Sequence, residues 1–168
     1  MVDGVVKQYE ISRTWDVIED ILKSNLSDPL TGQEKRADTS HWIFKGNPRR
    51  NEMGKAPPRG WRWPIVIIED PVPDSENKTV DASKQQIETT VVIKCEAETR
   101  SSNDVNGRRE AIELAESVTH ILTTTGKSEL IKAALHLIST SSSPIIPDFI
   151  GSRKYYVKTT EFSFRRLD

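Results

Sequence analysis

Apolar positions along this chain change period several times, and each change marks an element. Trp15, Ile18, Ile21, Leu22 and Leu26 recur at steps of three and four, which predicts a helix over residues 14–26 with one apolar stripe. Ser12 or Thr14 can cap its first turn, and Asp28-Pro29 stops it. Residues 27–62 then lose all periodicity and are punctuated by Pro29, Gly32, Pro48, Gly54, Pro57, Pro58 and Gly60. This stretch reads as an extended polar arm, interrupted by a short strand around 41–44. Residues 63–69, WPIVIIE, form a β-branched apolar run of the kind that makes a buried strand. A polar loop follows over about 70–85.

Strict alternation begins at residue 86. Ile87, Thr89, Val91, Ile93, Cys95 and Ala97 alternate with Glu88, Thr90, Val92, Lys94, Glu96 and Glu98, predicting one long strand with a dry face and a wet face. Ala111, Leu114, Ala115, Val118 and Leu122 return to the helical period within residues 106–123, with Asn103 or Asp104 as candidate cap. Leu130, Ile131, Ala134, Leu135 and Ile138 continue that period and predict a third helix over 128–139, followed by a loop through Pro144 and Pro147. Residues 154–166 close the chain as a strand, with Tyr156, Phe162 and Phe164 on one side and Tyr155 and Val157 on the other. The order is that of one α+β domain over residues 1–168. It predicts a small, mostly antiparallel sheet with helices packed on one face and a long arm.

Composition narrows the class. Lys and Arg total 24 against 25 Asp and Glu, so the whole surface is not suited to coating DNA or a membrane. Cys95 is the one cysteine, so no internal disulfide can form, which fits a reducing compartment. Residues 1–10 lack the basic start and apolar run of a signal peptide, and no apolar stretch reaches the roughly 20 residues of a membrane helix.

Candidate chemistry is sparse. His41 falls in the arm, while His120 and His136 fall in predicted helices, and no His is marked by a pattern that sets it beside a nucleophile and a third, orienting group. Cys95 lies on the dry face of the long strand, where a small core residue is expected. No HExxH, CxxC, EF-hand or phosphate-loop pattern occurs, so no cofactor, metal or enzymatic activity is expected. An enzyme using Glu69, Asp70 or His41 is the rival to that expectation.

The unusual stretch is residues 41–63, which carries Lys45, Arg49, Arg50, Lys55, Arg59 and Arg62 against a single acid, Glu52. Trp42, Trp61 and Trp63 are interleaved with these cations. Such a mixture serves a protein interface, where Trp and Arg concentrate binding energy. It also serves a groove for single-stranded nucleic acid, or a plain loop anchored by its tryptophans. The interface residues expected here are Trp42, Arg49, Arg50, Lys55, Arg59, Trp61 and Arg62, facing an acidic set, Asp70, Asp74 and Glu76, on a neighbouring copy.

The succession of elements resembles that of the tail terminator, or tail completion, proteins of long-tailed bacteriophages and related archaeal viruses. The opening helix, the strand Trp63-Pro64-Ile65-Val66-Ile67-Ile68 after a loop, the alternating strand from Ile87 to Ala97, the helix over 106–123 and the aromatic strand from Tyr155 to Phe164 carry the likeness. It covers most of the chain as a pattern of elements. The resemblance implies a structural virion protein without cofactor, made in the host cytoplasm and resident at the head-proximal end of the tail. Its subunits form a ring, usually of six, that caps the tail tube, ends tube polymerisation and meets the head–tail connector proteins. Its expected partners are therefore itself, the tail tube protein and connector proteins, with no membrane and no nucleic acid. A head completion ring protein, and a nucleic-acid-binding module using residues 41–63, are the alternatives. If the basic arm contacts the acidic loop of a neighbour, replacing Arg49, Arg50 and Arg59 with Glu should disperse the oligomer; an unchanged native mass by light scattering overturns that contact.

Overall fold

The computed structural model describes residues 3–32, 35–36, 42–46, 48, 62–73, 78–81, 84–100 and 105–167. The element order is α1 (Asp3–Asn25), β1 (Ile43–Lys45), β2 (Ile65–Ile68), β3 (Val72–Pro73), β4 (Lys78–Asp81), β5 (Lys84–Glu98) and α2 (Gly107–His120). There follow a π-helical turn (Ile121–Thr125), α3 (Lys127–Lys132), β6 (Leu135–Ser142), β7 (Ile146–Ile150) and β8 (Arg153–Leu167). The fold is α+β, as the periodicity predicts. The strands form one mixed sheet in the order β1-β2-β5-β8-β6, with β3 and β4 also on β5 and β7 also on β8.

The sheet is built around two 15-residue strands, β5 and β8, paired antiparallel from Gln86 opposite Leu167 to Glu98 opposite Tyr155. The alternation of β5 sets its two faces. Thr89, Val91, Ile93, Cys95 and Ala97 are buried, opposite Phe164, Phe162 and Thr160 of β8 along the same face. Ala111, Leu114, Ala115 and Val118 of α2 are buried as well, and α2 packs on β5 and β8. On the other face most of the paired side chains are polar. Glu88 accepts from Arg165 at 2.8 Å, and Thr90 lies 3.4 Å from Ser163. Lys94 pairs with Glu69 just past β2. β2 is buried on both faces, which is why it reads as an unbroken apolar run rather than an alternating one.

Two glycines allow the helices to sit this close. A Cβ on Gly107 would stand 2.6 Å from the backbone of Glu98 and Thr99, so only glycine lets α2 begin beside the end of β5. The helix start is capped there by Asn106, which accepts from the Arg109 amide, while the Gly107 amide donates to Thr99 Oγ1 at 3.1 Å. A Cβ on Gly126 would meet Ile21 of α1 at 2.4 Å, where the π turn passes under the first helix.

Several expectations are corrected. The first helix begins at Asp3 rather than near residue 14. The loop predicted over 70–85 contains β3 and β4, both paired with β5. The third helix predicted over 128–139 is the largest difference: α3 stops at Lys132, and residues 135–142 form β6, which carries His136. The predicted loop beyond it contains β7. The break comes at Ala134, whose φ of 61° lies in the left-handed region and whose amide donates to the Ile131 carbonyl. That position after a helix usually holds glycine. With alanine there, nothing marks the stop, and the apolar spacing of Leu130, Ala134 and Ile138 runs on as if helical.

Left-handed backbone costs a non-glycine residue roughly 1–2 kcal/mol, partly offset by the greater freedom glycine has when unfolded. Ala134→Gly is therefore expected to stabilise the fold by about 0.5–1 kcal/mol, raising the thermal midpoint by about 2–3 °C for a domain of this size. Thermal unfolding followed by circular dichroism checks it, and a lowered midpoint contradicts strain at this turn.

Candidate assembly interface

Of the residues expected to form an interface, Arg49, Arg50, Lys55, Arg59, Trp61, Asp74 and Glu76 lie outside the described residues, as does His41. Trp42 does not present a surface: it is 3% exposed and belongs to the core. Arg62 and Asp70 are exposed, one just before β2 and the other just after it. Trp63 is buried too. The tryptophans that made residues 41–63 look like a base-stacking platform are, in these two cases, anchors.

The anchoring centre is Arg36, which its surroundings in sequence do not single out. Its side chain is 1% exposed. Nε donates to Asp28 Oδ2 at 2.8 Å, the two terminal nitrogens donate to the carbonyl oxygens of Arg62 and Pro64, and the guanidinium lies 5.8 Å from the Trp42 ring centre. Burial lowers the Arg36 pKa, and the neighbouring Asp28 carboxylate opposes that shift. The five donors of a planar guanidinium suit this task, since they meet a carboxylate and two carbonyls at once. The clamp ties the end of α1 and the start of the polar stretch to the entry of β2. The described parts of that stretch are therefore folded back on the domain, and Leu30, Arg36, Trp42 and Ile43 are all buried.

A second cluster covers the sheet face opposite α2. Trp63 stacks on Tyr155 with ring centres 5.0 Å apart and donates to Glu96 at 3.3 Å. Arg153 lies 4.8 Å from the Trp63 ring centre and holds Glu98 by two hydrogen bonds of 2.7 and 2.5 Å. Those bonds raise the Arg153 pKa, so it stays charged. The Tyr155 hydroxyl donates to Asp148 of β7 at 2.6 Å. Glu96, Glu98 and Tyr155 meet because the β5–β8 register sets them side by side.

Cys95 is buried, as its alternation predicts, and burial pushes its thiol well above the ordinary cysteine range. Among the described residues no three His, Cys, Asp or Glu side chains come together as a metal site. A cleft of about 900 Å³ lies between the end of α1 and α2. Three of its four carboxylates are engaged, Asp28 with Arg36, Glu110 with Arg100 and Glu113 with Arg109, while Glu116 is exposed. No helix among the described residues is long and apolar enough to cross a membrane.

The surface that departs most from an ordinary domain surface is the β6–β7 edge. Both strands lie along the same side of β8, β6 from Leu135 opposite Arg166 to Ser142 opposite Thr160, and β7 from Ile146 opposite Val157 to Ile150 opposite Arg153. Between them the Ser143 amide donates to the Thr159 carbonyl at 3.0 Å, so the two act as one interrupted edge strand. Among the described residues nothing pairs with its outer side. Ile138, Ile146 and Phe149 on it are 45%, 59% and 60% exposed. Sequence reasoning misses this surface because the helical spacing of 128–139 conceals a strand. No family model and no curated protein matches the chain.

Removing the Arg36 guanidinium leaves the Asp28 carboxylate and two carbonyls without their donor. Arg36→Leu is expected to cost roughly 3–5 kcal/mol, the usual scale for breaking a buried ion pair from one side. A urea midpoint shifted by less than the experimental scatter contradicts the clamp.

Proposed function

We propose that this chain is a structural virion protein, a ring-forming subunit that caps the tail tube, ends its polymerisation and joins the tail to the head connector. The observation that carries the reading is the uncovered β6–β7 edge. It is long, apolar in part and free of charge from Leu137 to Pro147. Soluble domains that work alone usually blunt such an edge with charges, prolines, bulges, very short strands or a covering segment. This one carries Pro144, Pro147 and an irregularity between Leu137 and Ser139, but no charge over that span and, among the described residues, no cover. An edge left open in this way is suited to contact with other chains. The resemblance of the element order to tail terminator proteins supplies the particular assembly. The two long paired strands and the two clusters around Arg36 and Trp63 supply the rigid body that a ring subunit needs.

A nucleic-acid module working through residues 41–63 fits the molecule less well. Trp42 and Trp63 are packed in the core, so neither ring is available to stack on bases.

The reading is tested by the native mass of the purified chain across a concentration series, with negative-stain images of the same fractions. Rings of about six subunits are expected at high concentration. Ile146→Asp with Phe149→Asp, both on the exposed edge, should lower the assembled fraction at least ten-fold while leaving the circular dichroism spectrum unchanged. A chain that stays monomeric throughout, and does not bind preformed tail tubes, overturns it.

A further inference from the structure

We infer that β6 is the contact through which a second copy of this chain joins across a two-fold axis at Ser141, extending one sheet into the other. Backbone geometry selects the residues. In an antiparallel ladder alternate residues turn both their amide and carbonyl towards one neighbour. Ser143 donates to Thr159 of β8, so Ser143, Ser141 and Ser139 face β8. Thr140 and Ser142 therefore turn their amides and carbonyls outward, to the side where no described strand pairs. In β7 the same alternation turns Pro147 outward, where its missing amide donor breaks no bond to β8.

The side chains are arranged to fit a second copy of themselves. From Leu137 to Ile145 the order is two apolar residues, five Ser or Thr, proline and isoleucine, so the polarity reads nearly the same in both directions about Ser141. Antiparallel pairing centred there sets Thr140 opposite Ser142, Ser139 opposite Ser143 and Leu137 opposite Ile145. Hydroxyl pairs across strands are favourable, and like charges facing one another are not. No charged residue lies between Leu137 and Pro147 to oppose self-pairing. The irregularity between Leu137 and Ser139 confines the regular ladder to 139–143, so the flanking apolar residues meet by packing rather than by backbone bonds. Phe149 lies beyond the paired stretch and remains exposed.

A two-fold contact is isologous and cannot by itself close a ring, which needs a head-to-tail contact. The inference rests on the assembly reading above and adds one contact to it. The two are separable by experiment.

Ser141 faces its own copy in a non-hydrogen-bonded pair, where Cα atoms approach to about 4.5 Å. That separation lies within the range a disulfide spans. Ser141→Cys in the full chain, oxidised with copper phenanthroline, should convert mostly to a disulfide-linked dimer on a non-reducing gel. Cys95 is buried and should give no background. Thr123→Cys, at an exposed position on the π turn, is the control and should convert at least ten-fold more slowly. Ser141→Lys, which sets two like charges face to face, should halve the native mass of the dimer in sedimentation at unchanged circular dichroism. Equal crosslinking of Ser141→Cys and Thr123→Cys, or an unchanged mass for Ser141→Lys, overturns the two-fold contact. Rings without the crosslink would overturn this contact alone, and the crosslink without rings would overturn the ring alone.

Discussion

The antiparallel pairing of β5 with β8 is the constraint from which the other elements take their places. Residues 77 positions apart in the chain, such as Glu88 and Arg165, are joined across it. β2, β3 and β4 pair with β5, while β6 and β7 pair with β8, so every strand except β1 touches one of the two. Because side chains alternate strictly along a strand, a slip of one residue in β5 would exchange Val91 and Ile93 for Val92 and Lys94 on the buried face beside Phe162. The apolar pattern forbids that slip. The polar face then falls into register as a consequence, and Glu88 meets Arg165 while Glu98 lies beside Tyr155.

The two sides of this sheet end differently. At one side β1 is three residues long, and its Lys45 is held by Asp16 and Glu19 of α1. A short strand ending in an engaged charge discourages further pairing. At the other side β6 and β7 together run the length of β8 and carry exposed Ile138, Ile146 and Phe149. Assembly through one side of the sheet follows from that asymmetry on the reading proposed here. The Trp63 cluster reinforces the same side, since Asp148 of β7 receives the hydroxyl of Tyr155 and is thereby fastened to β8.

The polar stretch after α1 illustrates how aromatic and basic residues mislead when read as composition. Trp42 with Arg36, and Trp63 with Arg153, are each a ring beside a guanidinium, the same pairing that marks binding surfaces. Here the partner lies within the chain. What separates the two cases is burial, and burial depends on which distant segment passes over the residue. Arg36 is the sharper instance. It sits in a run without period, and its role comes from carbonyls at Arg62 and Pro64 that only folding brings near.

What the sequence determined by itself is therefore the local pattern: the alternation of β5 and the stripe of α2, each repeating at the period of its own backbone geometry, together with the unbroken apolar run of β2 and the aromatic closing strand. From those follow the α+β class and the buried place of Cys95. Tertiary structure decided the rest. Residues 128–139 have a helical spacing up to Ala134 and beyond, yet β8 offers an open row of backbone donors and acceptors, and pairing with it turns residues 135–142 into a strand. The choice between helix and strand there belongs to a partner 18 to 31 residues further along the chain, and so does the existence of the exposed edge. A local period records how a segment would bury itself; which neighbour satisfies its backbone is settled only when the sheet forms.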